Sequence, residues 1–191
     1  MATPLAPADL RVLLVFPPQG HPTQPYLALP SLKAWLGRHG FSDCTVWDLN
    51  LEAYDHMVSG ERLARALERI RARARAEGLL DREALAGDDI ARYRLVADAL
   101  ATGPYVAAHV DEAKAAIRDP RSFYDRRRYL WAMHTFEAGL KLASAEFHPS
   151  LLSAHNYTQS TSIDSTADLF AGVDSPDENM FREFYLEHAL P

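Results

Sequence analysis

Apolar residues run without a break from Val12 to Phe16 and stop at Pro17 and Pro18. A continuous run of that length is the pattern of a strand covered on both faces, and neither proline can donate a ladder hydrogen bond. The pattern then changes period. A helix is predicted from near Pro30, a residue suited to a first helical position, with Leu29, Leu32, Trp35 and Leu36 on one face. Gly40 follows as a left-handed cap, with Phe41 placed to pack back on the last turn. Cys44 to Leu49 reads as a second strand, β-branched and aromatic. Strand, helix and strand over so short a stretch predict a βαβ unit with parallel strands and a right-handed crossover.

Beyond it the spacing is helical. Leu63, Leu67, Ile70 and Ala74 share a face of a helix over Glu61 to Glu77. Arg69, Arg71, Arg73 and Arg75 alternate around that helix, which reads as a solvated surface and not as a ligand clamp. Two further helices are predicted over Asp89 to Leu100 and Pro104 to Arg118, punctuated by Gly103 and Pro104. Ser122 is the expected cap of a long helix to about Ala145, with Leu130, Met133, Leu140 and Ala143 inward. His148 to Asp164 is polar and irregular, with at most a short strand. Ser175-Pro176-Asp177-Glu178 has the spacing of a capping box and is expected to open a last helix burying Phe181, Phe184 and Tyr185.

The predicted fold class is therefore α/β and helix-rich: an incomplete Rossmann-like βαβ unit of two parallel strands, followed by a helical insertion. The divisions expected are a flexible N-terminus at 1–10, the βαβ unit at 11–58, the helical insertion at 59–147, and a polar loop with a C-terminal helix at 148–191. Two parallel strands make a small sheet, since parallel sheets are normally larger and covered on both faces. The expectation is a fragment of a doubly wound domain whose remaining strands would follow Pro191, with an open sheet edge through which the chain self-associates.

Composition narrows the chemistry. The 191 residues are 48% apolar, as in a globular chain, and carry a formal charge of −6, which argues against a general nucleic-acid binder. Cys44 is the single cysteine, so no internal disulfide is possible, and a reducing, cytoplasmic compartment is expected. Met1 to Asp9 is rich in Ala and Pro and lacks the basic and apolar regions of a signal peptide. No apolar run approaches the ~20 residues that span a bilayer, so no membrane partner is expected.

Several residues invite chemical readings. Asp48 ends the second strand, but the glycine fingerprint of a dinucleotide site is missing, so a turn or a helix cap with Asn50 is the reading. Asp55 and His56 are adjacent on a helix and do not face each other, so no metal site is expected there. His109 and His134 read as surface or core histidines, and His148, His155 and Asn156 mark the polar loop. The run SAHNYTQSTS lacks the glycines of a nucleophile elbow. Tyr124, Tyr129 and Trp131 read as core or interface aromatics.

Taken in order, VLLVFPP, PYLALPSLKAWLGRHG, VWDLNLEAYD, RDPRSFYDRRRYLWA and SPDENMFREFYLEHALP resemble the amino-terminal region of cobalamin-binding radical S-adenosylmethionine proteins, especially those that modify ribosomal peptides. The resemblance implies a corrinoid held at the carboxyl edge of the parallel sheet, against Pro17, Pro18, Gln19, Gly20, His21, Pro22, Thr23 and Gln24. It also implies a peptide substrate for the full-length protein, and a downstream barrel holding a four-iron cluster and S-adenosylmethionine. Two departures stand out. The barrel's C-x-x-x-C-x-x-C motif is absent, so this chain is not expected to be catalytic alone, and His21 does not sit in the D-x-H-x-x-G motif that supplies a cobalt ligand.

The stretch FPPQGHPTQPYLALPSLKAWLGRHGF also resembles the first loop and helix of two-domain nucleotide-sugar glycosyltransferases. That resemblance implies His21 as the general base for an acceptor hydroxyl, a role an imidazole titrating near neutrality suits. No orienting carboxylate stands at a family spacing, and the resemblance fades after Asp48. A third reading is a helical interaction module with no ligand of its own, which a cobalamin titration separates from the first.

Overall fold

Two six-residue strands, β1 (Arg11–Phe16) and β2 (Asp43–Asp48), pair in parallel from Arg11 opposite Asp43 to Phe16 opposite Asp48. The helix α1 (Ala28–Arg38) connects them and packs on both. The computed structural model describes residues 6–18, 20–22, 26–80, 87–159, 164–175 and 179–189. Within them the chain is an α/β, helix-rich fold: a partial Rossmann-like unit followed by helices. It divides into two units, 1–54 and 55–191.

In the first unit the expected flexible terminus is described from residue 6 onward. There Pro7–Asp9 form a single 3-10 turn, and the Asp9 carboxylate accepts the Ala6 N–H at 3.2 Å. The uninterrupted apolar run of β1 predicted cover on both faces, but burial alternates. Val12, Leu14 and Phe16 are half-buried, whereas Leu13 is 54% and Val15 43% exposed. Successive side chains of a strand point to opposite faces, so a single crossover helix covers one set.

Helix α1 starts two residues earlier than predicted. Pro30 is its third residue, a place where the missing N–H is still one of the helix's orphan donors. Leu29 is buried and Leu36 half-buried, while Leu32 and Trp35, expected on the same face, are exposed. The end is as expected. Gly40 has φ +92°, its N–H donates to Gly37 O at 3.3 Å, and the Phe41 N–H donates to Leu36 O at 3.1 Å, which together make a Schellman motif. After β2, the helix α2 (Leu49–Met57) begins at once, capped by the Asp48 carboxylate, which accepts the Leu51 N–H at 2.9 Å.

The second unit is built on α3 (Gly60–Ala76), α4 (Asp88–Arg118) and α6 (Arg126–Glu146), with α4 packed on both others. Ser59 caps α3, and the predicted stripe Leu63, Leu67, Ile70 and Ala74 is fully inward. The two helices predicted over 89–118 are one. Pro104 lies inside α4. A Cβ on Gly103 would stand 2.4 Å from Leu67 Cδ2, so a larger residue here would oblige the end of the Leu67 side chain to move. Gly139 plays the same part on α6, where a Cβ would stand 2.5 Å from Val58 Cγ1.

The reversal from α4 to α6 takes one short helix, α5 (Pro120–Tyr124). Asp119 caps α5 through the Arg121 and Ser122 N–H groups, and Asp125 caps α6 through those of Arg127 and Arg128. Asp125 thus replaces Ser122 as the cap of the long helix, and Ser122 itself donates its hydroxyl to Asp119 at 2.8 Å. Leu130, expected inward, is exposed in the first turns of α6, whereas Leu140 and Ala143 are buried and Met133 is half-buried.

Across 148–164 the described residues hold a two-residue hairpin, β3 (Leu151–Leu152) with β4 (Tyr157–Thr158). Ser144 Oγ on α6 accepts the Leu152 N–H at 2.8 Å and pins the hairpin. A helix not predicted, α7 (Thr166–Asp174), follows, capped by Ser165. The expected capping box falls on Pro176, Asp177 and Glu178, outside the described residues; the next helix, α8 (Met180–Phe184), is capped by Asn179. It runs into a π-helical turn, Tyr185–Ala189. Phe181 and Phe184 are buried as expected, and Tyr185 is half-buried.

Candidate functional site

β1 and β2 end side by side at Phe16 and Asp48, so the loop after β1 and the start of α2 together form the carboxyl edge of the sheet. Asn50 is nearly inaccessible, at 3% exposure, and its side-chain oxygen accepts the Gly20 N–H at 2.7 Å. That bond fixes the loop over the strand ends. Beneath it lies the Phe16 ring. A Cβ on Gly20 would stand 2.8 Å from Phe16 Cζ and 3.1 Å from Cε1, so a side chain here would press on the Phe16 ring. The ring stacks on Tyr26, with centroids 3.9 Å apart and planes at 10°. Tyr26 is exposed and extends this aromatic surface outward.

Of the predicted site residues, Pro17 is exposed, and Pro18, Gly20, His21 and Pro22 are half-buried in this loop. His21 is engaged with neighbouring groups. Gln19, Thr23 and Gln24 lie outside the described residues. Asp48 serves as a helix cap and Trp47 Nε1 donates to Glu52 at 3.0 Å, so both polar groups at the end of β2 are occupied locally. Sequence reasoning missed Asn50, Phe16 and Tyr26 as parts of one arrangement. The signal was an amide just after a strand end, next to a chain that cannot bond itself because two prolines interrupt it.

The second unit carries the strongest electrostatics. Arg62, 4% exposed, donates to Glu146 at 2.7 Å and lies 3.1 Å from Glu183; Arg69 reaches the same two carboxylates at 2.8 and 3.4 Å. Burial opposes the charge on Arg69, but Glu146 and Glu183 outweigh it and raise its pKa. Asp55, adjacent to His56 in sequence but not expected to face it, bonds Lys114 and Arg118, each at 2.9 Å. Burial works against its ionisation, and the two cations prevail, holding its pKa below the ordinary carboxylate value.

His56 faces the other way, with its ring centroid 4.0 Å from that of His188 and its buried Nε2 without a hydrogen-bond partner among the described residues. Burial, then the neighbouring His188, lower its pKa; Glu183 opposes them, and Arg62 and Arg65 add to the lowering. Among the described residues no group of three or more His, Cys, Asp or Glu side chains is placed to hold a metal ion, and no helix is long and apolar enough to cross a membrane.

No protein-family model, curated protein or solved structure matches this chain. Among the described residues, the strand-end edge offers an aromatic surface and a loop residue, Gly20, held by one buried amide.

Proposed function

We propose that the first unit binds a corrinoid, as the cobalamin-binding portion of a radical S-adenosylmethionine protein acting on a peptide in a reducing, cytoplasmic compartment. The observation that carries this reading is the Asn50–Gly20 bond, which holds the loop at the carboxyl edge of a parallel strand pair. Ligands of open α/β sheets sit in that crevice. A flat, largely apolar ring suits the Phe16–Tyr26 stack and a loop of Pro18, Gly20 and Pro22 that projects little beyond its backbone.

The donors present suit the ring and not its metal. No histidine-ligation motif surrounds His21, so the chain would hold the group by its faces and edges. Bound cobalamin supplies methyl transfer or assists a radical rearrangement; this chain's residues bind and orient it. With Cys44 as its single cysteine, the chain cannot hold the four-iron cluster by itself.

An absorbance titration with hydroxocobalamin tests the reading. Saturable binding is expected, weakened by roughly tenfold or more in Asn50→Leu, where the loop loses its anchor. His21→Ala should change affinity by less than about tenfold, because removing a side chain that is not a ligand costs less than one bond to a metal or a charge. No binding by the folded protein would overturn the reading. Turnover of a nucleotide sugar, abolished by His21→Ala, would replace it with glycosyl transfer.

A further inference from the structure

The second unit contains a cavity of about 750 Å³ between α3, α4, the end of α6 and α8, within the size range of small-molecule sites. Its walls carry Arg69, Arg73, Arg92 and Arg182 against the carboxylates of Glu146 and Glu183, in a chain whose formal charge is −6. The arginines are placed by helix geometry. Arg62, Arg69 and Arg73 are seven and four residues apart on α3 and so fall on one stripe. Arg62 lies behind the wall and bonds both glutamates, so much of their charge is already matched from inside the protein. Arg73 and Arg92 share Glu77, one carboxylate for two guanidinium groups. Arg73 also donates to the Glu146 carbonyl at 3.5 Å, a long bond that takes up little of its capacity. Besides His148, the remaining lining is apolar: Ile70, Val96 and Phe147 are buried, and Ala72, Ala76 and Leu186 are exposed.

We propose that this cavity binds an amphipathic organic anion, its carboxylate or phosphate held by Arg69 and Arg73 and its apolar body lying against Ala72, Ala76 and Leu186. Each element answers a feature of the cavity. The excess of guanidinium groups calls for negative charge, and their fork geometry matches planar oxyanions. The exposed apolar surface of Leu186 and the two alanines gains nothing from a bare ion and rewards a hydrocarbon body. The proposal does not rest on the corrinoid reading, since every residue it uses belongs to the second unit.

Calorimetric titration of the intact chain with sodium octanoate, n-octylamine and inorganic phosphate tests it. Octanoate should bind saturably, and octylamine should not. Arg73→Gln should weaken octanoate by roughly tenfold or more, the loss of one charge-assisted hydrogen bond. Ala76→Trp, which adds bulk at an exposed position on the rim and removes no charge, should block entry while leaving the circular dichroism spectrum unchanged. Failure of octanoate to bind, equal binding of octylamine, phosphate binding as tightly as octanoate, or unaltered affinity in both variants would each overturn the proposal.

Discussion

The Gly20 N–H and the Asn50 side-chain oxygen meet at 2.7 Å across 30 residues of chain, joining the loop after the first strand to the helix after the second. Asn50 is buried, so replacing it with leucine leaves the Gly20 donor with nothing to bond. The expected cost is about 1–3 kcal/mol. Urea denaturation should register it, and amide exchange at Gly20 should speed up more than at Phe16, whose strand pairing is untouched. Unchanged exchange at Gly20 would show that the bond does not hold the loop.

Two helical glycines should respond to alanine with opposite signs. Within a helix alanine is favoured over glycine by about 1 kcal/mol. At Gly37 nothing lies within 4 Å of the added carbon, so Gly37→Ala should stabilise by roughly that amount. At Gly139 the carbon would stand 2.5 Å from Val58 Cγ1, and valine is stiff about its first torsion. Overpacking costs typically 1–3 kcal/mol, so Gly139→Ala should lower the urea midpoint despite the better propensity. Equal effects of both changes would contradict the close approach of α6 to its neighbours.

Arg62 is the cation most dependent on its place. Removing it as Arg62→Met strands Glu146, whose side chain is 8% exposed, with Arg69 as its remaining partner. Breaking a buried pair costs about 3–5 kcal/mol. Adding Glu183→Leu removes one of the two carboxylates left short of charge and should recover part of the loss. A double-mutant cycle on urea midpoints measures the coupling, and simple additivity would show that Arg62 and Glu183 act independently.

His56 should make stability fall on mild acidification. Its folded pKa lies below the ordinary histidine value, because burial and His188 disfavour the imidazolium more than Glu183 favours it. The unfolded chain therefore binds the proton more readily. The contribution is fully present above about pH 6.5, the unfolded value, and is lost as pH falls through the folded one. His188→Ala removes one opposing charge and should raise the His56 pKa, flattening the dependence of the urea midpoint on pH. An NMR titration of His56 in both proteins checks the direction.

The parallel strands, the helix between them and its glycine cap were legible because each rests on local chemistry: prolines after Phe16, left-handed geometry at Gly40, β-branched content before Asp48. The stripe of Leu63, Leu67, Ile70 and Ala74 was legible for the same reason. Pro104 misled, since the rule that proline breaks a helix is local, whereas the packing of α4 on α3 and α6 is tertiary. Arg62 escaped notice because reading alternate arginines from 69 to 75 ignores the helical period that joins 62, 69 and 73. Its partners Glu146 and Glu183 are distant in sequence, and no spacing announces them. Asn50 was read as a cap and proved to be a cross-chain anchor, a role that exists only once the two strands lie side by side.

The consecutive aspartate caps at Asp119 and Asp125 bear on the order in which the molecule assembles. They reverse the chain between its two longest helices with α5 alone between them, so the α4–α6 contacts close a short loop. The Arg62–Glu146 bond spans 84 residues, and Arg69–Glu183 spans 114. Loop closure costs more entropy as loops lengthen, and contacts near in sequence tend to form first. The helical hairpin should therefore exist in the folding transition state, and the ion network should close after it. In stopped-flow experiments Asp125→Ala is expected chiefly to slow refolding, whereas Arg62→Met is expected chiefly to speed unfolding. The buried arginine would then govern how long the folded unit lasts, while an exposed aspartate governs how soon it forms.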